Sequence, residues 1–236
     1  MIVSVLVLVV IVALSLPAAI VVIPLAAITH NAGPLYAAGT FITRVALRVA
    51  GIRVEVEGLE HIPQGRASIF MANHVSNLDP PVLISQLPGR TSAIAKSSIF
   101  KIPILGYAMR LGDFIPTERD GSVESAKKSA AQAALALAKG LNITTFIEGT
   151  RSPDGRMLPF KKGPFHLAME AGAPCVPVSI YGTEALMAKG SFGIRPGTVH
   201  IVFHAPLDPA NYSTRKEMME AMRAAIASGL PEWMRA

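Results

Sequence analysis

A single cysteine, Cys175, in 236 residues leaves the chain without an internal disulfide and without a CxxC or mixed Cys/His spacing for a structural metal. That usage fits a reducing, cytoplasmic setting. Aromatic residues make up only 6% of the chain, and no basic run exceeds two residues, Lys127-Lys128 and Lys161-Lys162. The interleaved cations and stacking rings of a nucleic-acid groove are therefore missing. Residues 1–43 contain no Asp, Glu, Lys or Arg, so all 22 basic and 16 acidic residues belong to the remainder. There is no internal repeat, no low-complexity linker and no G-x-S-x-G nucleophile elbow. What is present is 51% hydrophobic residues, too apolar for a disordered chain, in a length that fits one medium domain behind an apolar front.

From Met1 to Ile28 the only polar side chains are Ser4 and Ser15. As one helix this stretch would be roughly 42 Å long, against about 30 Å for a bilayer core. Pro17 and Pro24 are the candidate breakers; a helix ended at Pro17 would reach only about 24 Å, short for a span. A second candidate helix, residues 34–50, opens at Pro34, closes at Gly51 and carries Arg44 and Arg48. Two such helices predict a hairpin set into one leaflet with its arginines at phosphate depth; a tilted or kinked span is the alternative. A cleaved secretory signal is disfavoured, because no Lys or Arg precedes the apolar run and no small-x-small site leads into a polar start. The net charge of +6 points to an anionic membrane surface or an anionic substrate. The division expected is residues 1–50 as membrane-anchoring helices and 51–236 as the body.

The body alternates short apolar runs with helical patterns, as an α/β layer protein does. Strands are predicted at 52–57, 68–72, 92–95, 114–116, 143–147, 176–181 and 198–204, and helices at 80–86, 98–109, 122–139, 162–170 and 214–227. Asp120 and Ser122 are candidate caps of the third helix, which Gly140 ends, and Thr214-x-x-Glu217 is a capping-box pattern opening the last. The fold expected is one α/β domain with a mixed central sheet flanked by helices, behind a hydrophobic helical membrane-binding segment.

The sharpest chemical constellation is Asn73-His74-Val75-Ser76-Asn77-Leu78-Asp79-Pro80-Pro81, at the end of an apolar strand. On an ideal helix His74 and Asp79 would lie about 140° apart, so a turn must bring them together. If it does, Asp79 holds one ring nitrogen and leaves the other free as a general base. That is two-thirds of a hydrolase triad without its nucleophile. Cys175 sits on an apolar strand, where an inert buried thiol is expected. The nucleophile would then belong to the substrate, an alcohol deprotonated as it attacks an activated acyl group; the alternative is a pair of structural hydrogen-bonding groups.

The second constellation, Phe146-Ile147-Glu148-Gly149-Thr150-Arg151-Ser152, again follows a strand and leads into an Asp154-Gly155 turn. Gly149 permits close backbone approach, Thr150 and Ser152 offer hydroxyls, and Arg151 carries a planar donor fork that matches a phosphate. A well-made surface turn with a solvated arginine is the other reading. A third segment, Gly112 to Arg119, also ends a strand-like run with an arginine.

Together, Asn73-His74-x4-Asp79, the segment ending in Arg119, Phe146-x-Glu148-Gly149-Thr150-Arg151-Ser152 and Val176-Pro177-Val178 resemble the four ordered blocks of the glycerolipid acyltransferases, specifically the bacterial 1-acyl-sn-glycerol-3-phosphate acyltransferase group. The resemblance spans roughly residues 50–205. It implies an α/β domain with a hydrophobic N-terminal helical piece, His74 as general base and Asp79 as its orienting partner. It further implies that Arg119 and Arg151 bind the substrate phosphate, that Glu148, Gly149 and Thr150 shape that pocket, and that Lys96 lies near the reaction centre. Lys161 can add to the phosphate field. The second block departs from the family pattern: Ile115-Pro-Thr-Glu-Arg119 carries Pro116, a Glu before the Arg and a glycine one place out of register.

The activity so implied is acyl transfer from acyl-CoA or an acyl carrier protein to the hydroxyl of lysophosphatidic acid, without metal or cofactor, at the cytoplasmic face of the membrane. Lys96 and backbone N–H groups near Asn73 are candidates for stabilising the oxyanion. Competing readings are acylation of glycerol 3-phosphate or another lysolipid, a metal-dependent hydrolase using His74, Asp79, His200 and His204, and a non-catalytic membrane-binding module.

Overall fold

The computed structural model describes residues 2–118 and 123–235. Seven strands, β1 (Ile52–Glu57), β2 (Ile69–Ala72), β3 (Thr91–Lys96), β4 (Ile115–Thr117), β5 (Asn142–Phe146), β6 (Cys175–Tyr181) and β7 (Gly197–Phe203), form one sheet in the order β1-β7-β6-β2-β5-β3-β4. Every pairing is parallel except β6 with β7. The sheet is therefore mixed, and β2, β5, β3 and β4 all end at the same edge. The expected α/β class and all seven strands are present, each displaced by at most a residue.

Side-chain alternation along β2 divides the core. Ile69 and Met71 face a layer built from α5 (Val123–Ala138), α6 (Lys162–Ala171) and α8 (Arg215–Ser228). Phe70 and Ala72 face the opposite layer, where α3 (Asp79–Gln86) supplies Val82 and Leu83 and α2 (Gly33–Val49) supplies Ala46 and Leu47. Covered on both sides, β2 reads as an unbroken apolar run and all four residues are buried. Thr214 accepts from the Glu217 N–H at the start of α8, and the Glu217 carboxylate reaches back to the N–H of Ser213, one residue before the expected position.

Two helices differ from expectation. α1 (Ile2–Thr29) continues through both Pro17 and Pro24. Each proline removes one backbone hydrogen bond, but unwinding an apolar segment would leave many more backbone groups without partners. The helix expected over 98–109 is broken into a 3-10 turn, Ser97–Lys101, and α4 (Leu105–Leu111). Pro103 is the cause: it holds Ile102 extended, and Ile104 follows at φ +65°. A one-turn helix, α7 (Thr183–Leu186), follows β6 where no helix was anticipated. The caps expected of Asp120 and Ser122 fall outside the described residues.

α1 and α2 form the hairpin. α1 is mostly exposed, with Ile2, Leu8, Val9, Ile20, Val21 and Ile28 each more than half so, yet Val7 and Ala26, near its two ends, are buried. It packs on α2 along its length and touches α4. The helix is long and apolar enough to cross a membrane, but it lies against the domain rather than standing away from it.

Candidate active site

β2 and β5 are neighbours with Ala72 opposite Phe146, which sets His74 and Glu148, each two residues further on, side by side at the common strand edge. The two turns are stitched together. The His74 N–H donates to Glu148 Oε1 at 3.2 Å, and the Ser152 N–H donates to the His74 carbonyl at 2.8 Å. Arg151, adjacent to Ser152, is thereby held beside the His74 turn.

The turn brings His74 and Asp79 together as required. Asp79 opens α3 and is fully buried, and its Oδ2 accepts from His74 Nδ1 at 2.7 Å. The same oxygen accepts from the N–H groups of Val75 at 2.7 Å and Ser76 at 2.8 Å, and Oδ1 accepts from the Thr183 hydroxyl. An ionised carboxylate can only accept, so Nδ1 carries the proton and Nε2 carries the lone pair. The ring stacks on Phe146 with centroids 4.2 Å apart, and His74 is 7% exposed, so only one edge of the ring is open. Asn73 fixes the start of the turn by bracketing the Ile180 backbone, donating to its carbonyl and accepting from its N–H, each at 2.8 Å.

These bonds narrow one expectation, that backbone N–H groups near Asn73 stabilise an oxyanion. The N–H groups of His74, Val75 and Ser76 are engaged by carboxylates, so none of these three is free for an oxyanion. The local hydroxyls are occupied too: Ser76 donates to Met187 O, Ser152 to Asp154 Oδ1 and Thr183 to Asp79. No serine or threonine among these is an activated nucleophile.

In the second turn, Gly149 has φ +73°, and a Cβ there would stand 3.0 Å from Cγ of Lys161. Glycine lets the Lys161 stem lie across the turn, which the Lys161 N–H bond to Ile147 O pins at 2.7 Å. One guanidinium nitrogen of Arg151, Nη1, is buried without a hydrogen-bond partner. A buried donor left open in this way is expensive unless something completes it, and a phosphate oxygen is the natural complement. Glu148 lies beneath rather than in this pocket: it is 1% exposed, and burial pushes its carboxyl up to about 7, against the pull of the His74 and Leu158 N–H groups. Lys96 ends β3 on the same sheet edge, exposed, with β5 between its strand and β2. Arg119 lies outside the described residues.

Cys175 is fully buried, and burial drives its thiol pKa upward, consistent with an inert core residue. His200 and His204 do not join His74. His200 faces Glu55 at 3.3 Å and stacks on Tyr181, while β7 ends at Phe203 and His204 pairs with Ser179 Oγ at 2.8 Å. Among the described residues no three His, Cys, Asp or Glu side chains converge on a point that could hold a metal.

Sequence reasoning missed Thr183, Phe146 as the stacking partner of His74, and Met187. Thr183 had one available signal: Gly182, which follows β6 and takes φ +93°, marks a turn directly before it. Two apolar cavities lie beneath the hairpin. One of about 400 Å³ is lined by Val7, Ile11, Ala46, Leu78, Pro81 and Met187, and touches the back of the His74 turn through Leu78 and Met187. The other, about 240 Å³, lies between α2, α3 and α4.

The chain that carries this histidine, its buried carboxylate and the arginine turn bonded to it matches a known family. The Acyltransferase family profile matches residues 53–181, and the chain belongs to that family. It is 32% identical over 184 residues to a 1-acyl-sn-glycerol-3-phosphate acyltransferase of Limnanthes alba, covering 78% of this chain and 64% of the relative. It is 40% identical over 141 residues to the human 1-acyl-sn-glycerol-3-phosphate acyltransferase alpha, covering 59% of this chain and 49% of that one. The chain thus spans less than two-thirds of the length of these curated relatives. Its fold also matches the crystal structure of the 1-acyl-sn-glycerophosphate (LPA) acyltransferase PlsC from Thermotoga maritima, with a TM-score of 0.75 and 30% identity, covering 84% of this chain and 79% of that chain.

Proposed function

We propose that this chain transfers a fatty acyl group from an acyl thioester to the free hydroxyl of 1-acyl-sn-glycerol 3-phosphate, giving phosphatidic acid. The observation that carries the reading is a histidine base with an open Nε2 and no activated nucleophile beside it among the described residues, bonded through Ser152 to an arginine whose buried nitrogen lacks a partner. The names of the relatives agree in substrate and reaction. Membership of the bacterial group is part of this reading, supported by the match to the Thermotoga protein over 84% of this chain.

In this mechanism Arg151 holds the acceptor phosphate, with Thr150 and Lys161 beside it and Arg119 as a second cation. His74 Nε2 takes the hydroxyl proton as the oxygen attacks the thioester carbonyl. The C–O bond forms, the C–S bond breaks and the proton passes from His74 to the departing thiolate. Glu148 and Gly149 shape the turn, and Lys96, free on the strand edge, is left as the candidate for charge on the thioester side. A thioester is already activated, so neither metal nor cofactor is needed. Acyl-CoA and acyl carrier protein both fit as donors, and the cavity behind Leu78 and Met187 suits an acyl chain.

The membrane is the natural partner of the exposed apolar face of α1. Because α1 lies along the domain, burial in one leaflet, at the cytoplasmic face, is favoured over a crossing. The test is thiol release from acyl-CoA by the purified chain with lysophosphatidic acid, glycerol 3-phosphate or a neutral lysolipid. Lysophosphatidic acid should be the best acceptor, and His74→Ala should abolish release. Equal use of the neutral lysolipid would remove the phosphate assignment.

A further inference from the structure

Residues 187–195, which follow α7, are unusual in touching the anchor helix and both catalytic turns. The Met187 carbonyl accepts from Ser76 Oγ at 2.7 Å, on the His74 turn. Lys189 Nζ donates to the Arg151 carbonyl at 2.9 Å. The Ile194 N–H donates to Ser4 Oγ at 2.9 Å, in the first turns of α1. The loop is closed at its base by the bond from Arg195 N–H to Leu186 O at 2.9 Å.

At the tip stands Phe192, between Gly190 and Gly193, and 87% exposed, whereas Phe70, Phe165 and Phe203 are completely buried. A bare phenylalanine ring on a loop contributes nothing to the fold and loses apolar hydration only if it enters something. Its surroundings specify what that is. The Ser4 bond makes the loop continuous with the first turns of α1, where Ile2, Val5 and Leu6 are at least half exposed. From residue 185 to 197 the chain carries Lys189 and Arg195 and no acid. An aromatic tip flanked by cations and joined to an apolar helix face suits an anionic lipid surface.

We propose that the 187–195 loop is a second lipid-binding element, with Phe192 inserted into the leaflet that receives α1, and that it holds the arginine turn and the His74 turn at headgroup depth. The positioning half of this proposal rests on the acyl-transfer reading; the insertion half does not. Lys189 is a positioning residue, since it touches only the Arg151 backbone.

Insertion is tested with Phe192→Trp in a Trp233→Phe background, which makes position 192 the only tryptophan. The full chain is reconstituted in phosphatidylglycerol/phosphatidylcholine vesicles, with or without lipids brominated near the headgroup end of the acyl chains. Blue-shifted emission quenched by bromine is expected; emission indifferent to bromine overturns insertion. Positioning is tested by kinetics. Lys189→Met should raise the acceptor KM about fivefold, the value of one lost hydrogen bond, with kcat held and Lys189→Arg restoring it. Phe192→Ala should raise KM for acceptor presented in vesicles and leave KM for a short-chain, water-soluble acceptor unchanged. An unaltered KM in Lys189→Met, or equal effects of Phe192→Ala on both acceptors, overturns the coupling. If no acceptor is acylated at all, the acyl-transfer reading fails while the tryptophan result still decides insertion.

Discussion

Thr183 and Asp79, 104 positions apart in the chain, meet in a buried hydrogen bond in which the threonine hydroxyl donates to Oδ1 of the carboxylate. With Oδ2 taking His74 and two backbone N–H groups, the threonine occupies the oxygen that would otherwise be free to let the carboxylate swing. Thr183→Val keeps the shape and removes the donor. We expect a stability loss of about 1–3 kcal/mol and a lower kcat with acceptor KM unchanged, while Thr183→Ser stays near wild type. Thermal unfolding and steady-state kinetics check both parts; a Val variant with normal kcat would mean that the backbone N–H groups alone orient Asp79.

Asp79→Asn tests the tautomer. The amide presents only one acceptor oxygen where the carboxylate serves four donors, and it carries no negative charge. Turned with its NH2 toward His74 it leaves Nδ1 without an acceptor; turned toward the Thr183 hydroxyl, which can accept, it keeps the Nδ1 bond but no longer stabilises the imidazolium. Rates of thiol release should drop on the order of 10²–10⁴-fold, comparable to removal of a general base, with the fold retained as judged by circular dichroism. A loss below tenfold would indicate that His74 needs no orienting partner.

Arg151 carries an open, buried guanidinium nitrogen, so a ligand bearing phosphate should stabilise the protein by completing it. Glycerol 3-phosphate is expected to raise the melting temperature of the wild type and not of Arg151→Ala, and that variant should show a raised acceptor KM. Arg151→Lys should recover little, because a point charge does not replace a planar fork. An Arg151→Ala protein still stabilised by the ligand would move the phosphate elsewhere.

Much of this was legible in the chain because each signal was local. Short β runs, the Thr214-x-x-Glu217 cap and the turn between Ala72 and Pro80 are all decided by neighbours in sequence, and the strand-end placement of His74 and Arg151 follows from them. What could not be read depends on partners far along the chain. Thr183 and Met187 reach the His74 turn only because β6 lies beside β2, and the burial of Glu148 depends on the same packing. The prolines of α1 misled in the opposite sense, since a local breaker lost to the surroundings of the whole helix.

Glu148 makes the site's stability depend on pH. Its carboxyl titrates at about 7 in the folded protein against an ordinary 4.5, chiefly because burial disfavours the charged form. The folded state therefore binds the proton more tightly, and stability falls as pH rises from about 4.5 to 7. The full penalty, on the order of 3 kcal/mol, is present above that range and absent below it. Glu148→Gln cannot ionise and still offers Oε1 to the His74 N–H, so it should gain on wild type as pH rises. The melting-temperature difference, variant minus wild type, should increase by roughly 5–10 °C between pH 5 and pH 8. A difference independent of pH would mean that Glu148 keeps one protonation state throughout. In that case the His74 and Leu158 N–H groups, helped by the weaker pull of Arg223, offset burial.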